Sequence, residues 1–331
     1  ICMYGYEIFH DTLLNELINS VHSGEAHQAY LFAGPEGVGK HTAAELLANA
    51  LVCENRETAP CGSCHACVGA KAHTNPDIVY VRPTDKKTVS AEQAREIVRD
   101  AYVKPFESSK KVYIIEDGSV LNEFAQNCLL KILEEPPEYV VFIIVAASES
   151  VLLQTVLSRC TIVRFSAVDD EKIAQYIKKH YPGEADKTEL LTKLSGGIPG
   201  RIDEITADPD FSALREQSLR ALPLLFSSKR LSAYTIAEFL ENNKEKADLI
   251  IDFWQSFLRD ILIIRNCSKK IILNIDMQET LENIALKMPD NFAIVALEQT
   301  IRAKTMLRRY VNLHSLSLNL SFSIKNRLYK R

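Results

Sequence analysis

The sequence predicts an α/β fold, a parallel sheet with helices on both faces, followed by an all-helical remainder. Three observations carry this. Short apolar runs alternate with helical patterns over residues 1–166. A glycine-rich stretch, Gly34-x-x-x-x-Gly39-Lys40, joins the first run to a helix. From about residue 209 the apolar residues recur at helical spacing instead.

Taken in order, Ala29–Ala33 (AYLFA) reads as a buried strand, and so do Ile78–Val81, Lys111–Glu116, Val140–Ala146 and Thr161–Phe165. Ser90 is a plausible cap for a helix over Ala91–Tyr102. A second helix over Ser119–Leu133 ends at Glu-Glu-Pro-Pro, because proline lacks the N–H and clashes with the preceding turn. Residues 167–208 hold two or three short helices split by LSGGIPGR. Beyond them, Leu214–Phe226, Ser232–Asn242, Lys246–Arg265 and Phe292–Tyr310 read as helices. The tail LHSLSLNLSFSI alternates like a strand, but Leu313, Leu316, Leu320, Ile324 and Leu328 share one helical face, so a helix is expected.

At 331 residues the chain has room for two or three domains. It is 47% apolar and 25% charged, with a net charge of -4, so bulk attraction to nucleic acid is not expected. Its longest apolar run, Val140–Ala147, is far short of the ~20 residues a membrane helix needs. ICMYGYEIFH lacks the basic start and cleavage site of a signal peptide, and Ile1 is not an initiator residue. A large chain with eight cysteines and no visible secretion signal fits a reducing cytoplasm rather than a disulfide framework.

The glycine stretch reads as a phosphate-binding loop. Gly34, Gly37 and Gly39 let backbone N–H groups converge on phosphate oxygens, the helix N-terminus adds its dipole, and Lys40 bridges the outer phosphates. A glycine-rich turn is the bland alternative, and the strand-loop-helix context argues against it. His41, however, stands where a Ser or Thr would hold magnesium. Magnesium takes oxygen ligands, imidazole suits softer metals, and Thr42 comes one residue late. The acidic strand end is also reversed, Glu116-Asp117 in place of Asp-Glu, and a misplacement of ~1 Å at a reacting group costs about a hundredfold. Binding without efficient hydrolysis is therefore expected.

Cys53, Cys61, Cys64 and Cys67 place four thiols within fifteen residues. Tetrahedral zinc in a closed, structural site is the natural guest. An iron–sulfur cluster is the rival, though the ferredoxin Cys-Pro is missing. Four unrelated core thiols would not sit among Pro60, Gly62, Ser63 and His65, which read as a loop.

HQAYLFAGPEGVGK, the four-Cys insert directly after the phosphate-loop helix, NCLLKILEEPP and LSRC together resemble bacterial clamp-loader subunits of the AAA+ class, over roughly residues 4–205. The resemblance implies an AAA+ phosphate-loop domain over 1–166, a helical lid over 167–208 and a helical collar over 209–331. It implies a five-subunit arc that uses ATP to open a ring-shaped sliding clamp and place it on primer–template DNA. It implies a nucleotide site built from Gly34, Gly37, Gly39, Lys40, His41, Thr42, Glu116 and Asp117, with Arg201 as a second sensor and Ser148 near the first. It also implies that Arg159 of Ser158-Arg159-Cys160 acts as an arginine finger in a neighbour's ATP site. Phe9 stands where a glycine-containing turn usually lies near the adenine.

Two members of such an assembly are in play. The degenerate magnesium site favours a non-motor subunit, and the intact cradle leaves an ATPase motor as the alternative. A free-standing zinc protein that binds nucleic acid is a third class, which the acidic balance opposes. From Gln299 onward there are eight Lys or Arg and no acid, a run that suits a solvated helix face or contact with DNA or an acidic partner.

Overall fold

The computed structural model describes all residues except 1, 4–5, 8, 84–87, 208, 267–271, 308–311 and 330–331; for residues 2–3, 6–7, 186–187 and 190 it describes the backbone alone. The chain separates into two compact units, Ile1–Lys179 with Ser195–Arg201, and His180–Leu194 with Ile202–Arg331.

The first unit opens with a small antiparallel pair, β1 (Cys2–Met3) and β2 (Tyr6–Glu7), then α1 (Asp11–Ser23). Its main sheet uses β3 (Ala29–Ala33), β4 (Ile78–Val81), β5 (Lys111–Ile115), β6 (Val140–Ala146) and β7 (Thr161–Arg164), all parallel, in the order β4-β5-β6-β3-β7. The expected strands are all present, two of them one residue shorter. Between them run α2 (Lys40–Val52), α3 (His65–Lys71), α4 (Ala91–Ala101), α5 (Glu123–Glu134) and α6 (Gln154–Leu157), and α7 (Asp170–His180) follows β7. This is the expected α/β arrangement, a five-stranded parallel sheet with helices between its strands.

The central strands are apolar at every position because both faces are covered. Ala29, Leu31 and Ala33 of β3 join a core with α4 and α5. On the other face Tyr30 and Phe32 lie edge to face, and Phe32 packs on Phe165. Ser90 caps α4 through Gln93 N–H, as its position predicts. The next helix differs from expectation. Gly118–Val120 is a 3-10 turn, and α5 starts at Glu123 because the Asn122 side chain takes the Ala125 N–H.

Asp77 anchors the loop into β5. It is 1% exposed and accepts backbone N–H bonds from Phe106, Glu107 and Ser108 at 2.6, 2.9 and 2.7 Å. Burial alone would raise its pKa, but the three N–H donors together hold it below the usual carboxylate value. A depressed folded pKa means stability that is present above the unfolded value and is lost as pH falls through the folded one. Asp77→Asn is expected to cost about 3 kcal/mol at neutral pH, since charge-assisted bonds are exchanged for weaker ones. Urea unfolding of the variant at neutral pH, and again below about pH 3.5, measures this. The difference between wild type and variant should shrink at the lower pH.

The second unit holds α8 (Thr188–Ser195) and α9 (Pro199–Ala207), apart from their residues in Ser195–Arg201, which the first unit holds. Then come α10 (Phe211–Phe226), α11 (Leu231–Asn242), α12 (Ala247–Asn266), α13 (Gln278–Lys287), α14 (Phe292–Leu307) and α15 (Leu313–Tyr329). Their core is built from Trp254, Phe257, Ile261, Phe292 and Ile324, with the Trp254 indole donating to the Ser218 carbonyl at 2.8 Å. The tail is helical, with Leu316, Leu320 and Ile324 inside. Ser317 and Ser321 share the buried side, where their small size lets neighbouring helices approach. Helix α13 was not expected from the sequence. Of the basic run, Lys304 pairs with Asp252, Arg327 with Glu298, and Lys325 is buried on the Lys229 carbonyl and Ser232. Arg308, Arg309, Lys330 and Arg331 lie outside the described residues. No helix is long and apolar enough to cross a membrane among the described residues.

Candidate nucleotide-type site and metal centre

The glycine loop leaves β3 and enters α2 as the sequence predicts. At Gly34 an added Cβ would lie 2.3 Å from the Phe165 carbonyl oxygen, so only glycine lets the loop cross β7. Gly37 has φ +75° and touches the Pro199–Arg201 turn, where the Gly200 N–H donates to the Gly37 carbonyl at 2.9 Å. A Cβ on Gly200 would come within 2.7 Å of the Gly37 Cα. Two glycines thus allow backbone-to-backbone contact at the loop tip. Arg201, in the first turn of α9, follows that contact directly and belongs to the same unit as the loop. Nearby, Phe9 stacks edge-on against Tyr176, and its carbonyl accepts from the Lys172 ammonium at 2.9 Å.

Lys40 is 4% exposed, and its ammonium donates to the Gly34 and Pro35 carbonyls at 2.7 and 2.5 Å. Burial lowers its pKa, against the opposing charges of Glu36 and Asp117. The ammonium is therefore held at the loop, where a phosphate would meet it. The cradle fits a nucleotide's phosphates.

The metal side does not fit magnesium. Glu116 is gripped by Arg82, whose Nη2 donates to Oε1 at 2.6 Å and whose Nε donates to Oε2. That bond, with the Arg82 charge, holds the Glu116 pKa below its usual value, and His41 and His73 add to the positive charge it feels. Asp117 is turned to its own loop, accepting from the Ser119 N–H at 2.9 Å and the Ser119 hydroxyl at 2.6 Å. His41 is exposed and Thr42 half-buried at the start of α2. A divalent ion would meet a guanidinium and an imidazole where it needs carboxylate and hydroxyl oxygens. Arg82 was missed from sequence. Val81 pairs in register with Ile115, so the next residues, Arg82 and Glu116, emerge side by side.

Arg159 sits after α6, with its side chain 31% exposed. Its Nη1 donates to the Thr155 carbonyl at 2.6 Å and to the Ser158 hydroxyl at 3.2 Å, and its Nη2 to Glu134 near the end of α5. Ser148 caps a short turn after β6 and bonds the Ser150 hydroxyl at 2.9 Å.

The four cysteines converge as their spacing predicts. Cys53 closes α2, Cys64 caps α3, and Cys67 lies inside α3. Their sulfurs all lie within 4.8 Å of one another, with Cys53–Cys64 at 4.0 Å and Cys61–Cys67 at 3.9 Å. Four ligands at about 2.3 Å from one ion define a tetrahedron with edges of about 3.8 Å, so the group fits a metal ion. The Cys61, Cys64 and Cys67 N–H groups point at the Cys53, Cys61 and Cys64 sulfurs, at 3.5, 3.4 and 3.4 Å. The N–H of Ser63, then that of Cys64, pull the Cys61 thiol down to about 6, while burial pushes Cys67 up. Arg56 and His22 bond across to the Val21 and Ala59 carbonyls, at 2.9 and 2.7 Å, and tie the insert to α1.

Comparison with known proteins bears on this arrangement. A family described as the DNA polymerase III delta subunit matches residues 9–169. The delta' subunit of DNA polymerase III from Bacillus subtilis (strain 168) is 26% identical over 308 residues, covering 91% of each chain. These matches support a DNA polymerase III clamp-loader subunit. Another relative, the delta' subunit of Haemophilus influenzae, is 27% identical and covers 76% of this chain and 75% of its own. The tau/gamma subunit of Haemophilus influenzae is 36% identical over 166 residues, which is 50% of this chain. This chain spans only 24% of that relative's length.

Proposed function

We propose that this chain is a delta-prime-like subunit of a bacterial replicative clamp loader, a largely non-motor stator that lends Arg159 to a neighbouring ATPase subunit. In this reading the partners are gamma/tau and delta subunits in a hetero-pentamer in the cytoplasm, and the assembly loads a sliding clamp on primer–template DNA. Residues 1–166 form the nucleotide-type domain, 167–208 the lid and 209–331 the collar. The observation that carries the reading is the pairing of Glu116 with Arg82, beside a histidine at position 41. Gly34, Gly37, Gly39, Lys40, Thr42 and Arg201 keep a phosphate cradle, while Glu116 and Asp117 are committed elsewhere. The likeness to delta' relatives along most of the chain supports the same subunit type. Cys53, Cys61, Cys64 and Cys67 would hold zinc, which would supply a structural cross-link and no reaction step.

An active gamma/tau-like motor is the second reading, favoured by the intact Lys40 cradle and the 36% identity over the first half. Calorimetry of ATP against the isolated chain, with magnesium and with EDTA, separates the two when phosphate release is followed on the same sample. The stator should bind weakly or without regard to magnesium and release no phosphate. Tight magnesium-dependent binding with steady turnover would make the chain a motor.

A further inference from the structure

We propose that Glu134 positions Arg159 for its work in the neighbour's ATP site, an inference that rests on the finger reading above. Glu134 and Arg159 are 25 residues apart, Glu134 at the end of α5 and Arg159 just after α6. Their meeting is built, not incidental. Glu135 caps the helix and Pro136 and Pro137 follow it, so α5 ends at a fixed point just past Glu134. The same helix fixes where α6 begins. Gln126 is 4% exposed, accepts the Leu153 N–H at 2.7 Å and donates to the Val151 carbonyl at 3.2 Å. Val156 is buried beneath α6 in the core that α5 builds. One helix therefore sets both the base of the finger and the carboxylate at its tip.

The guanidinium is held from three sides, by Glu134, the Thr155 carbonyl and the Ser158 hydroxyl. Guanidinium offers five N–H donors in a rigid fork, so three bonds within its own subunit leave donors for phosphate oxygens. An unrestrained arginine surrenders rotamer freedom when it engages a target. A side chain already fixed by its own subunit has lost that freedom beforehand, and the gain appears at the transition state rather than in substrate affinity. The pair is substantially exposed, with side chains 31% and 48% accessible, so it adds little to folding and its use lies in placement.

The test is steady-state ATP turnover by a complex reconstituted with the neighbouring ATPase subunits, this chain being wild type, Glu134→Ala, Glu134→Gln or Arg159→Ala. Glu134→Ala is expected to lower kcat by about three- to tenfold with KM for ATP unchanged, and to leave the melting temperature of this chain unchanged. Glu134→Gln keeps an acceptor oxygen and should restore most of the rate. If Arg159→Ala silences turnover while Glu134→Ala runs at the wild-type rate, the positioning role is wrong and the finger reading stands. The positioning role fails equally if Glu134→Ala raises KM with kcat intact. If Arg159→Ala leaves turnover intact, both fall together.

Discussion

Arg159→Ala in this chain alone is expected to lower ATP turnover by a reconstituted neighbouring ATPase subunit by about three orders of magnitude, and to leave the folding of this chain untouched. The two halves of that expectation have different physical sources. In the folded chain Arg159 bonds Glu134, Thr155 and Ser158 at the surface, and an exposed ion pair contributes roughly 0–1 kcal/mol. In the neighbour's site the same cation would face charge developing on a transferring phosphoryl group, where arginine fingers contribute about 10³–10⁵ in rate. Arg159→Lys keeps the charge but not the planar fork, so it should recover only part of the loss. Phosphate release by the complex, beside thermal melts of the isolated variants, provides both measurements. Turnover within about threefold of wild type for Arg159→Ala would remove the finger from the proposal. A lowered melting temperature with unchanged turnover would recast Arg159 as a strut between α5 and α6.

Why some of this was legible in the sequence and some was not follows from the range of the interactions. A strand buried on both faces must be apolar throughout, so VVFIIVA could be little else, and β6 runs Val140–Ala146 as read. Four cysteines at short spacing can reach one point without help from distant chain, and they do. The glycine loop is likewise local. Helix starts were less secure: the expected helix ran back to Ser119, but the Asn122 side chain takes the Ala125 N–H that opens α5. Helix α13 escaped because QETLENIALK is ten residues long and shows only Leu281, Ile284 and Ala285 to the core. What sequence could not show is which charges meet. Arg82 finds Glu116 only because β4 lies beside β5 in a particular register, and Glu134 finds Arg159 only through the packing of α5 against α6. The sequence displayed an acidic pair with reversed order at residues 116–117; the structure adds that Glu116 is bonded to Arg82 and Asp117 to Ser119.

Purified without chelator, the chain is expected to carry one zinc ion, and Cys67→Ser is expected to lose it. Cys67 is the choice because it is fully buried inside α3, where a serine hydroxyl is a poor substitute for a thiolate. Zinc held at about a thousand times its Kd stabilises the state that binds it by about 4 kcal/mol. The loss should fall unevenly across the molecule. The insert leaves the end of α2 at Cys53 and returns through Asn75, whose side chain donates to the Ala66 carbonyl at 3.3 Å, before β4 begins. Few large apolar side chains lie within it: Ala66, Cys67 and Ala70 are its buried face on α3. Without the ion this segment has little to hold it, so residues 54–74 should become protease-sensitive while the sheet persists. The C-terminal turn of α2 should loosen with it, and through α2 the phosphate loop at the other end. Metal analysis of the purified chain, limited proteolysis with and without chelator, and hydrogen exchange across α2 follow each step. Iron with acid-labile sulfide in place of zinc would replace the assignment with a cluster. Unchanged proteolysis after complete removal of the metal would show that the thiols and the Arg56 and His22 bonds hold the insert unaided.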